Sequence, residues 1–145
     1  MSEGEIRRVI GSFQEAVSNS DVEKVISLFA DDATFVRPEG TFKGKEEIKR
    51  SFTWLLQHYS KFALRETDLI VTGNKAALEF AAEGTTTEGV AHRLPGVLAF
   101  QFTNGKIWQV HDYYDRLLLA QQLAKGWLAK RIVSSFVSRM EEGLH

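Results

Sequence analysis

The chain has 145 residues, of which 43% are hydrophobic and 26% are charged, and this composition predicts one globular domain with a single core. A formal net charge of −1 without a basic run argues against a nucleic-acid partner, and the absence of cysteine excludes disulfides, thiolate catalysis and Cys-ligated metal. The N-terminus does not resemble a signal peptide and no apolar run approaches the ~20 residues of a membrane span, so we expect a cytoplasmic protein with no membrane partner.

Helical periodicity dominates the N-terminal third. Apolar residues recur at helical spacing over residues 6–17 and predict a first helix. The run Ser20-Asp-Val-Glu23 matches a capping box, with Ser20 as the N-cap of a short second helix. A third helix is predicted from about Lys45 to Tyr59, with Tyr59 on its inner face.

Alternating patterns then predict a sheet. A short strand over residues 33–37 stops at Pro38-Glu-Gly40. Later strands are predicted over residues 63–71, 76–87, 91–102 and 107–114, separated by hairpin-like turns. Three helices followed by a long antiparallel meander indicate an α+β fold in which the sheet wraps over the helices.

The last stretch, from Leu117 to Met140, is helical again but changes its apolar face at Gly126, where we expect a kink. We therefore divide the chain into a domain of residues 1–123 and a C-terminal amphipathic helical extension of residues 124–145. The extension is expected to pack on its own domain or on a second subunit.

The run from Asn104 to Asp115 is the most informative in the chain, because it combines a hairpin turn with an alternating strand. Alternation places Trp108, Val110, Asp112 and Tyr114 on one face. If that face is the inner one, a carboxylate enters an apolar interior. Such burial is costly unless the charge is paired or the pKa shifts. Asp112 is therefore either a structural acid or the working group of a pocket.

These elements together resemble a known family. The capped helix ends in Leu-Phe-Ala-Asp-Asp-Ala-Thr (28–34), the next helix begins at Lys-Gly-Lys-Glu-Glu-Ile (43–48), and the last hairpin ends in Asp-Tyr-Tyr-Asp (112–115). Over about Glu5 to Leu123 the chain resembles the SnoaL-like polyketide cyclase branch of the nuclear transport factor 2-like (NTF2-like) superfamily. The resemblance implies a cone of curved sheet and helices around an apolar pocket, usually in a dimer. It implies no single activity, because the superfamily includes isomerases, cyclases, hydrolases and binding modules.

Alignment with two catalytic branches argues against their activities. Ketosteroid isomerases place a tyrosine and two carboxyl groups at positions that correspond here to Phe13, Arg37 and Leu98. A base and a neutral acid are both needed for that reaction, and neither is present. Limonene epoxide hydrolases resemble the last strand and match Asp112. Their other pocket positions fall at Phe35, Arg37, Phe80 and Ala82, which leaves one carboxylate of the pair that epoxide opening requires.

The polyketide cyclase branch is the better match. Its final-strand aspartate corresponds to Asp112, while its histidine position falls near Leu98. His92 lies six residues earlier and could supply a base from further along the strand. Asp112 and His92 are therefore the candidate catalytic residues. No metal site and no cofactor is expected, because no local element carries two histidines and a carboxylate at ligand spacing.

Two hypotheses from different classes remain. In the first, the pocket binds a small hydrophobic metabolite; in the second, an enzyme performs acid/base chemistry on such a molecule through Asp112. An arginine beside the acid would lower its pKa, bind a ligand carboxylate, or form a purely structural ion pair with it. The expected ligand-binding residues are Phe13, Phe35, Arg37, Phe80, Leu98, Phe100, Trp108 and Tyr114.

The opposite face of the sheet suggests a subunit interface. Its expected residues mix apolar and polar side chains: Glu79, Ala81, Val97, Ala99, Gln101, Gln109, His111 and Tyr113. Such a surface suits a symmetric homodimer that joins sheet to sheet.

Overall fold

The computed structural model describes residues 1–124 and 126–142, and the elements below belong to these ranges. The helices are α1 (Glu3–Ser18), α2 (Val22–Ser27), α3 (Gly44–Gln57), α4 (Arg116–Leu123) and α5 (Gly126–Glu142). The strands are β1 (Phe29–Arg37), β2 (Gly40–Lys43), β3 (Tyr59–Thr72), β4 (Lys75–Thr86), β5 (Ala91–Thr103) and β6 (Lys106–Tyr114). The α+β fold predicted from the sequence is confirmed.

The strands form one six-stranded sheet in the order β2-β1-β6-β5-β4-β3. The pairs from β3 to β6 are antiparallel, as the meander predicts, and β2 pairs antiparallel with β1. The contact between β1 and β6 is parallel, with Val36 opposite His111. This pairing was not predicted, because it joins strands separated by most of the chain. It brings the end of β1 beside the last strand and so positions the candidate site.

The core lies between this sheet and the first three helices. Helix α1 buries one stripe, from Ile6 through Phe13 to Val17, which the helical spacing predicts. Helix α3 adds Ile48 and Phe52 to the same core. The Phe13 ring meets the Phe52 ring edge-on, with 5.9 Å between ring centroids. Complete burial of each such ring contributes about 1.5–3 kcal/mol to folding.

The predicted capping box at the second helix is wrong by one residue. Asp21 is the N-cap of α2, and its side chain accepts a hydrogen bond from the backbone N–H of Lys24 at 3.1 Å. Ser20 has a φ of +55°, since it belongs to the turn that closes α1, where its N–H donates to the Val17 carbonyl. An N-cap takes an extended or similar conformation, so the next residue caps instead.

Helix α3 also ends earlier than expected, and Tyr59 lies in β3 rather than on the helix. The His58 backbone N–H closes the last helical turn on Leu55, and the chain then becomes extended. No glycine or proline marks this end, so the residues here carry no helix stop signal. Because the helix ends before Tyr59, this residue begins β3 and its side chain lines the cavity described below.

The C-terminal extension is helical over Gly126–Glu142, as predicted. The chain leaves α4 at Ala124 in an extended conformation and α5 begins at Gly126, whose φ is +74°, so the expected kink is a complete break. No residue of α5 is buried, and Trp127, Ile132 and Phe136 are among its exposed apolar side chains. Packing of the extension on its own domain or on a partner subunit stays a prediction. Lys125 and residues 143–145 of the extension lie outside the described ranges. None of the described helices is long and apolar enough to cross a membrane.

Gly96 is the most constrained glycine of the sheet, and replacing it tests the packing of β4 on β5. A Cβ at Gly96 would lie 2.6 Å from Cζ of Phe80 and 2.8 Å from the backbone oxygen of Tyr113. We expect Gly96→Ala to lower the free energy of unfolding by about 1–3 kcal/mol. Urea unfolding curves measure it, provided that the slope m is unchanged.

Gly11→Ala is the matched control, because a Cβ there meets no atom within 4 Å and Gly11 lies inside α1. It should raise stability by about 0.5–1 kcal/mol through helix propensity. Equal stability of the Gly96→Ala variant and the wild type would show that Phe80 and the Tyr113 backbone relax without cost.

Candidate functional site

An apolar cavity of about 80 Å³ lies inside the cone. Of the predicted site residues, the structure brings eight to its wall: Phe13, Phe35, Arg37, Phe80, His92, Leu98, Asp112 and Tyr114. The remaining lining residues were not predicted as site residues: Val17, Phe52, Leu55, Tyr59, Phe62, Leu64, Ala82, Leu94 and Leu119. The helical stripes and strand alternation marked several of these as core, but no pattern distinguishes a core residue from a residue that faces a cavity.

Trp108 was expected in the pocket, and this is wrong. Between β5 and β6, Gln101 pairs with Gln109 but Phe102 pairs with Ile107, so Trp108 is an extra residue in β6. Such a bulge reverses the alternation on one side of it. Ile107 is therefore fully buried, while Trp108 is 41% exposed and lies away from the cavity.

Phe100 was also expected to line the pocket, but it belongs to the solid core beside it. Its ring packs edge-on against Phe13, with centroids 5.6 Å apart, and stacks on Phe102 at 5.8 Å. The side chain is 1% exposed and is separate from the cavity wall. Phe100 therefore lies on the inner face of β5, as predicted, but at a point along the strand that the cavity does not reach.

Arg37 and Asp112 meet at one end of the cavity because β1 and β6 run side by side in parallel. The Arg37 Nε lies 3.8 Å from Oδ2 of Asp112 and 3.7 Å from Oε2 of Glu39. The same guanidinium donates a hydrogen bond from Nη1 to Oγ of Ser51 at 3.1 Å. Both carboxylate distances exceed hydrogen-bond length, so the expected ion pair is present but loose.

Because the contact with Arg37 is loose, the pKa of Asp112 is raised and not lowered as predicted. Burial raises the pKa of Asp112 to about 6, more than the charge of Arg37 lowers it, and the charge of Glu39 raises it further. The expectation that Arg37 would lower this pKa overall is therefore wrong. A carboxyl group with a pKa near 6 exchanges its proton close to neutral pH, so it can act as an acid or a base.

His92 lies on the cavity wall but not beside Asp112. Asp112 pairs across the sheet with Leu98, six residues further along β5 than His92, which corresponds to roughly 20 Å of extended strand. The partner of His92 is Tyr59, whose hydroxyl lies 2.7 Å from Nε2. Burial lowers the pKa of His92, which favours a neutral ring. Tyr59 was not predicted as a site residue, because its spacing continues the apolar stripe of the preceding helix.

Within the described ranges, no group of three or more histidine, aspartate or glutamate side chains is placed to hold a metal ion. The polar side chains of the wall, those of Asp112, Arg37, Tyr59 and His92, can form hydrogen bonds and transfer protons.

The curved sheet closed over three helices around an apolar cavity defines an NTF2-like fold. The chain belongs to the SnoaL-like domain family, whose family model matches residues 10–110. No curated protein matches the chain.

Solved structures are similar to this chain in fold. An NTF2-like protein of unknown function from Burkholderia pseudomallei is 20% identical, with a TM-score of 0.77 over 86% of this chain and 100% of that chain. A protein from Shewanella putrefaciens, provisionally named a SnoaL-like polyketide cyclase, is 13% identical, with a TM-score of 0.76 over 86% and 98%. A protein with a ketosteroid isomerase-like fold from Catenulispora acidiphila, solved in complex with trimethylamine, is 19% identical, with a TM-score of 0.74 over 79% and 90%.

The raised pKa of Asp112 predicts a pH-dependent cost in stability. The folded state holds this proton up to a pKa of about 6, whereas the ordinary value is 3.8. The contribution of Asp112 to the free energy of unfolding is therefore fully present below its pKa in the unfolded chain. It is lost as pH rises through its pKa in the folded protein, by up to roughly 3 kcal/mol.

The measurement is the free energy of unfolding of the wild type and Asp112→Asn at pH 4 and pH 7.5. Asparagine does not titrate, so the wild type should lose stability relative to the variant between the two values. The same difference at both pH values would contradict a raised pKa.

Proposed function

We propose that the cone cavity binds a small, mainly apolar molecule that carries polar groups. One observation carries the proposal. In the described part of the chain, three buried side-chain atoms have no hydrogen-bond partner: Nε of Arg37, Nδ1 of His92 and Oδ1 of Asp112. All three residues line the cavity. Each such atom costs about 1–3 kcal/mol when it is left unbonded, so a molecule in the cavity would recover part of that cost.

The size of the cavity limits the ligand. A volume of about 80 Å³ is well below the ~300 Å³ of ordinary ligand pockets and below the ~150 Å³ that accommodates benzene in an engineered cavity. We therefore propose a ligand of a few heavy atoms, or a larger one that enters after side chains of the wall move. The trimethylamine bound by the fold neighbour from Catenulispora acidiphila is of the first kind.

A second candidate is acid/base catalysis on such a molecule, favoured by the raised pKa of Asp112 and its unbonded Oδ1. A general acid or base works best when its pKa lies near the working pH. The binding function stands first because the loose contact of Asp112 with Arg37 and its distance along the strand from His92 leave the acid without a second catalytic group. With a converted substrate in hand, Asp112→Asn separates the two: it abolishes turnover in an enzyme and only alters affinity in a binding protein.

Filling the cavity tests the binding function directly. Ala82 is 5% exposed and lines the cavity, so Ala82→Leu would place three further carbon atoms in it. The hydrocarbon methylenecyclobutane is a suitable probe, followed by amide chemical shifts in NMR titrations. We expect shifts around the cavity in the wild type and at least a tenfold weaker response in Ala82→Leu, because the space is occupied.

Ala63→Leu is the matched control. Ala63 is half-buried in β3 between two cavity-lining residues, but it lies on the other face of the strand. This variant should bind the probe as the wild type does. Equal binding by both leucine variants would place the probe outside the cavity.

We further propose that the outer sheet face joins two copies of the chain. Tyr113 is 53% exposed and Ile70 is 60% exposed. The His111 and Tyr113 rings stack on this face with centroids 4.2 Å apart and planes at 9°, which presents a flat aromatic surface. Beside them lies a shallow groove formed in part by the small side chains of Ala77 and Ala99. Aromatic and small apolar residues of this kind are typical of the core of an interface.

Light scattering after gel filtration tests the dimer. The wild type should have the mass of a dimer at micromolar concentration, and Tyr113→Glu should be monomeric because it places charges at the centre of the interface. Ile132→Glu, on the exposed face of α5, should remain dimeric. A monomeric wild type would contradict the proposal, and a monomer from Ile132→Glu alone would move the interface to α5.

A further inference from the structure

Tyr59 and His92 form a second polar group on the cavity wall, away from Asp112. The Tyr59 hydroxyl lies 2.7 Å from Nε2 of His92, and the two rings meet edge-on with centroids 5.2 Å apart. His92 is only 7% exposed, and both side chains line the cavity. The proton chemistry considered for Asp112 makes no use of this pair.

The pair contains one more donor hydrogen than its own contact uses. A neutral histidine carries one N–H and a tyrosine carries one O–H. The contact between Nε2 and the hydroxyl consumes one of these two hydrogens. The other is left either on Nδ1 of His92 or on the oxygen of Tyr59. Within residues 1–124 and 126–142, Nδ1 has no partner. Burial keeps the ring neutral by lowering the pKa of His92, so this count holds at neutral pH.

Physical cost decides which hydrogen is spare. The spare hydrogen is either an N–H on Nδ1, which is fully buried, or an O–H on Tyr59, a side chain that is only half-buried, and a donor without an acceptor costs more the more deeply it is buried. The favoured tautomer therefore carries its hydrogen on Nε2, which donates to the Tyr59 oxygen. The Tyr59 O–H is then free to donate, and it belongs to a side chain on the cavity wall.

The backbone holds this pair in place. A Cβ at Gly84 would lie 2.9 Å from the Tyr59 ring and 3.1 Å from Nε2 of His92. Gly84 is the cross-strand partner of His92 in the pairing of β4 with β5. Only a residue without a side chain lets the two rings approach the sheet in this arrangement.

We propose that Tyr59, positioned by His92, donates a hydrogen bond to an acceptor oxygen of the cavity ligand, and that this ligand is a small carbonyl compound, whose oxygen accepts without adding another donor to the pair. The inference rests on the proposed binding function and specifies its substrate class. The selection rests on the Tyr59–His92 pair alone: an apolar molecule with a carbonyl group directed towards Tyr59 satisfies the spare hydrogen of the pair.

Two probes of nearly equal shape test the inference. Cyclobutanone has a carbonyl oxygen where methylenecyclobutane has a CH₂ group. The wild type should bind the ketone about fivefold to tenfold more tightly, as expected for one net hydrogen bond. Tyr59→Phe should bind both probes equally, because it removes the donor and keeps the ring. Gly84→Ala should also lose the preference, because it displaces the pair without removing either polar group.

Tyr113→Phe is the matched control, since it removes the same hydroxyl from the outer sheet face, and it should keep the ketone preference. An infrared measurement needs no variant: the carbonyl stretch of bound cyclobutanone should shift to lower frequency in the wild type. Equal binding of the two probes by the wild type, an unshifted stretch, or a preference that survives Tyr59→Phe would overturn this inference alone. Failure of both probes to bind the wild type would overturn the proposed function as well.

Discussion

The burial of Asp112 where β1 runs parallel to β6 is the constraint on which the site depends. The parallel pairing places Arg37 beside the carboxylate, but Arg37 also contacts Glu39 and donates to Ser51. One guanidinium is thus divided among three oxygen-bearing groups, and its Nε reaches neither carboxylate within hydrogen-bond distance. Removing a carboxylate from water costs several kcal/mol, which a loose contact does not repay. Asp112 therefore holds its proton more tightly than an ordinary aspartate. Although it lies beside an arginine, as a structural ion-pair partner would, its raised pKa allows it to act as an acid or a base.

Two glycines give the cavity its shape. Gly84 lies beneath the Tyr59 and His92 rings, and Gly96 lies beneath the Phe80 ring. At both positions a side chain would collide with an aromatic ring that lines the cavity, so the rings lie close to the backbone and leave space above them. The position of the cavity wall is therefore determined by the main chain, and the aromatic residues follow it. This explains how a chain rich in phenylalanine keeps an internal space that its side chains could otherwise fill.

The sequence predicted the fold well and the site only in part, because the site depends on the exact placement of single residues. Periodicity and the family resemblance together indicate three helices under a curved sheet, and both are insensitive to single-residue shifts. The site is sensitive to them. Ile107 and Trp108 are both apolar, so either could occupy the inner face, and only the bulge decides between them. Tyr59 fits a helical stripe as well as a strand. The pKa of Asp112 depends on distances of 3.7 and 3.8 Å around Arg37, which no sequence pattern encodes.

The distribution of unbonded atoms separates a binding site from a structural ion pair. Native proteins leave few buried polar atoms without a partner, because each costs about 1–3 kcal/mol. A structural pair would bring Arg37 and Asp112 within hydrogen-bond distance, and it would not explain why Nδ1 of His92 also lacks a partner. Here Arg37, Asp112 and His92 each retain an unbonded atom, and the cavity is what they share. Arg37 with Asp112 and His92 with Tyr59 are thus two separate polar groups on one cavity wall, and neither group satisfies the unbonded atoms of the other.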